Sequence, residues 1–298
     1  MFRIAAYPKC FEQAIAESRT MSIFEWIDMA KKSLDVEGQQ MFDGFLTSFD
    51  PPYLEKVKEA FLEAGFQVPM FMCSPDFTNP DPDSRKRAVD YEVRMIELAK
   101  HFGGDGAVCR VLSGQQYPEV SREQGVEWVV AAIDDVLPVA RECGVVLGME
   151  NHYKLFDWTY PEFAQRAEVF LEIVNSIEER NFFGVQYDPS NAIVAGDDPV
   201  ALLEAVQDRI VSMHASDRAI KPGFTLDDLR RDETKKGYSS ILVHSAVGDG
   251  LNDYDRIFSI LAAIGYDRWV TIEDGMNGIE EIQKSVDFLN RMQAKYFR

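Results

Sequence analysis

Eight times along the chain a short apolar run gives way to a stretch with apolar residues at helical spacing, and no other feature restricts the fold as strongly. The predicted strands are Phe2–Ala6, Met41–Leu46, Val68–Cys73, Ala107–Leu112, Val145–Glu150 and the segments 183–188, 210–214 and 269–273. The predicted helices are Ile23–Lys32, Leu54–Leu62, 84–101, Ser121–Glu142, Pro161–Arg180, 198–208, Tyr254–Ala263 and Gly278–Ala294. Asp50-Pro51-Pro52 supplies a helix start, while Gly65, Gly103-Gly104 and Gly144 supply stops. Eight such units in 298 residues predict the α/β class and, within it, a closed (β/α)8 barrel of the TIM type as a single domain over 1–298. An open doubly wound sheet would more often show fewer strands and a glycine fingerprint after the first. Residues 215–250 break the rhythm with Pro222-Gly223, several glycines and a mixed-charge run at 227–236, and are expected to form a long loop insertion. The charge run reads as a solvated helix or lid segment.

Hydrophobic residues make up 46% of the chain, enough for a large core, and 31 basic against 50 acidic residues leave a formal charge of -19. That charge opposes binding to nucleic acid. No apolar run reaches the length of a membrane span, and the N-terminal run meets Pro8 too soon for a signal peptide, so a cytoplasmic protein is expected. Cysteines 10, 73, 109 and 143 are far apart and form no C-x-x-C pair; each reads as a reduced, partly buried thiol. Neither a nucleophile elbow nor a phosphate-binding P-loop is present.

The chemistry lies where the apolar runs stop. The fifth run ends on Glu150-Asn151-His152, the sixth on Asp188, the seventh on His214 and the eighth on Glu273. Barrel enzymes carry their sites at the C-terminal ends of the strands, so four ends in consecutive strands predict that Glu150, Asp188, His214 and Glu273 converge on one divalent metal ion. Three carboxylates and one imidazole favour Mn2+, with Mg2+, Co2+ or catalytic Zn2+ as alternatives.

Around this set, His152 stands two residues past Glu150 on the same side of an extended strand. It either reaches the substrate or makes a structural hydrogen bond to a neighbouring loop. Arg110 either contacts a hydroxyl, carboxylate or phosphate or forms a core ion pair. Trp158, Tyr7 and Phe71 either stack on a sugar ring or cover the barrel mouth. His244, after Ile241-Leu242-Val243, either enters the site on the long loop or stays at the surface.

Gly148-Met149-Glu150-Asn151-His152, Tyr187-Asp188-Pro189-Ser190-Asn191, Met213-His214-Ala215-Ser216-Asp217 and Gly248-Asp249-Gly250-Leu251-Asn252-Asp253-Tyr254 resemble the xylose isomerase-like barrels. That family includes sugar isomerases, ketose 3-epimerases, hydroxypyruvate isomerase and inosose dehydratase. The resemblance implies a metal-dependent sugar isomerase or epimerase that works by proton transfer next to a carbonyl through an enediolate. It makes Glu150 and Glu273 the acid and base, with Asp188 and His214 holding the ion. Asn151, Asn191 and Asp217 are implied as residues that orient the ligands or touch the small-molecule carbohydrate. Ketose 3-epimerases carry a histidine where this chain has Asn191 and an arginine where it has Ile220, with Arg218 nearby.

The long seventh loop and the Glu-x-His arrangement also resemble the large subunit of bacterial C-glycoside deglycosidases. This implies an alternative, a lyase acting on an oxidised sugar, with His152 as the base. The expected assembly is a homo-oligomer, or, on the lyase reading, a complex with a small second subunit. A barrel that binds carbohydrate without catalysis is the remaining alternative.

Overall fold

The computed structural model describes residues 1–155, 158–232 and 238–297. Its strands are β1 (Arg3–Ala6), β2 (Gly38–Gln39), β3 (Met41–Phe42), β4 (Met70–Met72), β5 (Val108–Val111), β6 (Val146–Glu150), β7 (Phe183–Tyr187), β8 (Ile210–Ala215), β9 (Asp217–Ile220), β10 (Leu242–Ser245) and β11 (Trp269–Ile272). Nine of them form one sheet in the order β2-β1-β11-β8-β7-β6-β5-β4-β3, and every pairing in it is parallel. β2 and β3 are two halves of one crossing, separated by Gln40: the first half pairs with β1 and the second with β4. The ring therefore closes through residues 38–42 and has the (β/α)8 architecture.

This second crossing begins three residues before the predicted Met41 and ends at Phe42, after which Asp43–Phe45 is a 3-10 turn. Its first half is Gly-Gln-Gln, too polar to read as a buried strand. The glycine is required by packing, since a Cβ on Gly38 would lie 2.9 Å from the Trp269 ring.

The helices wrap the outside and are punctuated by caps. Asp81 accepts from the amides of Asp83 and Ser84 at the start of Pro82–Gly103, and Ser121 accepts from Gln124 at the start of Arg122–Cys143. Gly144 ends the latter in the left-handed region that favours glycine. The next predicted helix is shorter than its apolar pattern suggested and spans only Ala167–Ser176. Its expected first part is instead a loop across the top of the barrel, tied by a bridge between Gln115 and Glu162 and by the Phe163 amide on the Gly114 carbonyl. An added helix, Pro189–Ala195, follows β7, with Asp188 as its N-cap.

Within 215–250, β9 and β10 form an antiparallel ribbon, and the helix Leu226–Arg231 starts from a capping box at Thr225. Residues 233–236 of the charge run lie outside the described residues. Among the described residues, no helix is long and apolar enough to cross a membrane.

Candidate metal centre and active site

β6, β7, β8 and β11 are consecutive neighbours in the sheet, so the residues at their ends meet above the core. One ligand atom each from Glu150, Asp188, His214 and Glu273 lies within 4.8 Å of the other three. The His214 Nδ1 is the hub, 3.0 Å from Glu150 Oε1, 3.0 Å from Glu273 Oε2 and 3.8 Å from Asp188 Oδ2. Its Nε2 lies 2.9 Å from Gln40 Nε2 and 3.1 Å from Gln40 Oε1; with the proton on Nε2 donated to the oxygen, Nδ1 is bare for a cation. Gln40 sits in the break between β2 and β3, so the interruption of the second crossing aims an amide at the site.

Asp188 divides its work. Oδ1 accepts from the amides of Ser190 and Asn191 at 2.8 and 2.9 Å, Oδ2 faces His214, and the Ser216 hydroxyl lies within 2.9 Å of both oxygens. Asn151 is the clasp between β6 and β7: its side chain donates to the Asp188 carbonyl at 2.7 Å and accepts from the Asp188 amide at 2.9 Å. Asn191 donates to Glu150 Oε1 at 3.3 Å. Arg110, buried in β5, donates to Glu150 Oε2 at 2.9 Å, to the Cys73 carbonyl at 3.0 Å and to Ser74 Oγ at 2.9 Å. Lys9, after β1, donates to Glu273 Oε1 at 3.2 Å and lies over the Tyr7 ring.

Two buried acids and a half-buried one need positive charge, and the surrounding side chains supply it without a metal. Burial alone would raise the Glu150 carboxyl, but His214 and Arg110 outweigh it and hold the group at about 2. Burial also raises Glu273, and Lys9 and His214 bring it well below the usual range. Asp188, farther from these cations, is pushed up by burial to about 6. Burial opposes the charged form of His214, yet Glu273 and Glu150 lift it to about 10. The proton on His214 thus occupies the place a divalent cation would take, and hard oxygens with one imidazole suit Mn2+, Mg2+, Co2+ or Zn2+.

A pH dependence follows. Because the folded His214 value lies above its ordinary 6.5, this group stabilises the metal-free protein fully below about 6.5, and the contribution disappears as pH rises through about 10. Metal uptake must displace the same proton, so affinity rises with pH up to about 10. Calorimetric titration near pH 8 in buffers of different ionisation enthalpy is expected to register about one proton released per ion bound. Release of none would mean that His214 is already neutral.

The other predicted residues are distributed as follows. His152 is buried at the rim, its Nδ1 3.7 Å from Glu162 Oε2, and its ring stacks on Tyr153 at 4.9 Å. Glu162 Oε1 is held by the Ser113 amide at 2.7 Å. Among the described residues, neither His152 Nδ1 nor Glu162 Oε2 has a hydrogen-bond partner. Trp158 is buried in the same top loop, and Tyr7 is buried against Phe45. Phe71 instead stacks on Phe102 of the Pro82–Gly103 helix, outside the barrel wall.

Asp217 turns to the 248–252 loop. Its oxygens accept from the amides of Gly248, Gly250 and Asn252 at 3.1, 3.0 and 3.2 Å. His244 reaches inward to Asp274, 2.7 Å away, and burial with the fields of Arg218 and Lys9 lowers it to about 3, so its imidazole stays neutral. Gln40, Lys9 and Glu162 carried no signal in the sequence beyond their residue type.

The model of the family described as "Xylose isomerase-like TIM barrel" matches residues 27–292. The inosose dehydratase of Geobacillus kaustophilus is 28% identical over 156 residues, 52% of this chain and 47% of that protein. The chain spans about half the length of the curated relatives it matches, or less. Among solved structures, a D-tagatose 3-epimerase-like protein superposes with a TM-score of 0.75 at 17% identity, covering 99% of this chain and 98% of that one. The zinc-bearing IOLI protein does so with 0.72 at 18% identity, covering 99% of each.

Proposed function

Because the chain belongs to the xylose isomerase-like TIM barrel family, we propose that it is a divalent-metal-dependent enzyme that removes the proton beside a carbonyl of a small carbohydrate, with elimination from an oxidised sugar as the outcome. The observation that carries this reading is the pair His152 and Glu162 at the rim, Nδ1 to Oε2 3.7 Å, with neither atom hydrogen-bonded among the described residues.

Glu150, Asp188, His214 and Glu273 would hold the cation, which supplies Lewis acidity to a substrate carbonyl; Mn2+ is the proposed ion, given the oxygen-rich set. All four oxygens of Glu150 and Glu273 are engaged, by Arg110, Asn191 and His214 in one case and by Lys9 and His214 in the other. A carboxylate whose oxygens are already engaged by cationic and donor groups is a poor proton acceptor. His152 is not so engaged. Glu162, with Oε2 3.7 Å from Nδ1, supplies a negative charge beside the imidazolium that forms, which leaves Nε2 to take the proton. The electron pair freed from carbon then expels a group on the adjacent carbon. The inosose dehydratase relative is named for a reaction of this type. Departure of an aglycone from an oxidised glycoside is the same chemistry with a different leaving group.

The two glutamates beside His214 support a second reading, isomerisation or epimerisation, in which the proton returns to carbon. Mass spectrometry of products from inososes, oxidised glycosides and ketoses, with Mn2+ added, separates the two. The expected product is lighter by water or by the aglycone. An unchanged mass with deuterium taken up from solvent favours the second reading, and sugar binding that is indifferent to chelation, with no exchange, overturns both.

A further inference from the structure

We propose that Cys73, Glu92 and Cys109 form a second metal site, structural in role, for a borderline divalent cation such as Zn2+, sealed between the barrel wall and the Pro82–Gly103 helix. The three come from β5, the end of β4 and the helix that packs outside them, and all are fully buried. Their ligand atoms cluster within 4.8 Å.

The sulfur–sulfur separation fits a tetrahedral ion, and each oxygen of Glu92 lies beside one of the sulfurs. The two sulfurs are 3.8 Å apart, Cys73 Sγ is 3.2 Å from Glu92 Oε2, and Cys109 Sγ is 3.5 Å from Glu92 Oε1. Zinc bonds of about 2.3 Å to sulfur and about 2.0 Å to oxygen place tetrahedral ligands about 3.8 Å apart for two sulfurs and about 3.5 Å for sulfur and oxygen. The Arg110 carbonyl, 3.0 Å from Cys73 Sγ, is the nearest further donor.

The chemistry of the pocket points the same way. Glu92 is fully buried, and each of its carboxylate oxygens faces one of the two thiols. The nearest guanidinium, Arg110, donates instead to Glu150. An ion entering here displaces three protons to solvent, one from each thiol and one from the carboxyl, and two thiolates and a carboxylate replace them. With no exposed ligand, the ion must enter as the chain folds and stay once it has folded. This site shares no ligand with the one above it, so the two proposals stand or fall separately.

Cobalt distinguishes them, because only this site has sulfur donors. Full-length protein refolded with Co2+ is expected to show near-ultraviolet thiolate-to-cobalt absorption that persists after dialysis against EDTA, with one equivalent of metal retained and released on unfolding in guanidinium. Cys109→Ser is expected to lose both the bands and the retained equivalent, and Glu92→Gln to weaken retention. Should either variant fail to fold, the wild-type measurement decides alone. Folded protein that shows no sulfur bands, whether or not it retains metal, would overturn the site and leave Glu92 as a neutral carboxyl accepting two S–H bonds.

Discussion

Replacing His152 with alanine is expected to lower kcat/KM by about 10²- to 10⁴-fold, the range a positioned general base contributes, while metal content and folding stay at wild-type levels. The selectivity comes from its position. His152 donates to none of the four clustered residues, and its ring rests on Tyr153, which in turn packs on Tyr238 at 5.4 Å. Truncation therefore removes the imidazole without disturbing the ligands. Two measurements are needed, solvent-deuterium exchange into substrate and metal content by elemental analysis. Exchange that continues at the wild-type rate would remove His152 from the proton transfer and return that role to Glu150 or Glu273. Glu162→Gln should give a smaller loss, since it acts only through the imidazole.

The second large effect belongs to Glu150. Glu150→Gln keeps the shape of the side chain but removes the charge that Arg110, His214 and an ion all use. Metal affinity should fall by at least about 100-fold, beyond the loss expected for groups that merely support a ligand. Stability should also fall by about 3 kcal/mol, because the Arg110 guanidinium loses its carboxylate inside the protein. Both side chains are almost completely buried, so solvent screening relieves little of this cost. Equilibrium metal titration and denaturant unfolding measure the two effects on one sample. A variant that binds metal as tightly as wild type would place the ion elsewhere, whereas His152→Ala with normal metal and no exchange would leave the centre intact. The pair of substitutions thus separates holding the ion from moving the proton.

Much of this arrangement was legible before any coordinates. Buried parallel strands write themselves as short apolar runs, and a polar residue at the end of such a run must lie at the rim, which is why Glu150, Asp188, His214 and Glu273 could be grouped. The second crossing lies earlier than its apolar run because its first half is Gly38–Gln39, a strand without apolar side chains, followed by Gln40 in the break. Its glycine is required by Trp269, 231 positions away by subtraction of the two residue numbers. The helix predicted from Pro161 failed in its first turns because Glu162 and Phe163 bond across to the 113–115 segment. A helical apolar pattern cannot report such a competitor.

Local chemistry along the chain was sufficient to determine the barrel, the grouping of polar strand-end residues and the Glu-x-His at the fifth. These depend on periodicity and on position within a strand, and both are short-range properties. Tertiary structure alone decided how those groups are charged and employed. Lys9 reaches Glu273 across 264 positions, Gln40 orients His214 across 174, and Glu162 comes back over His152 only because a loop refuses to be helix. It also brought Glu92 between two cysteines that are 36 positions apart. Charge and hydrogen bonding act through space over a few ångströms, and the closed barrel sets those distances by bringing together residues remote along the chain.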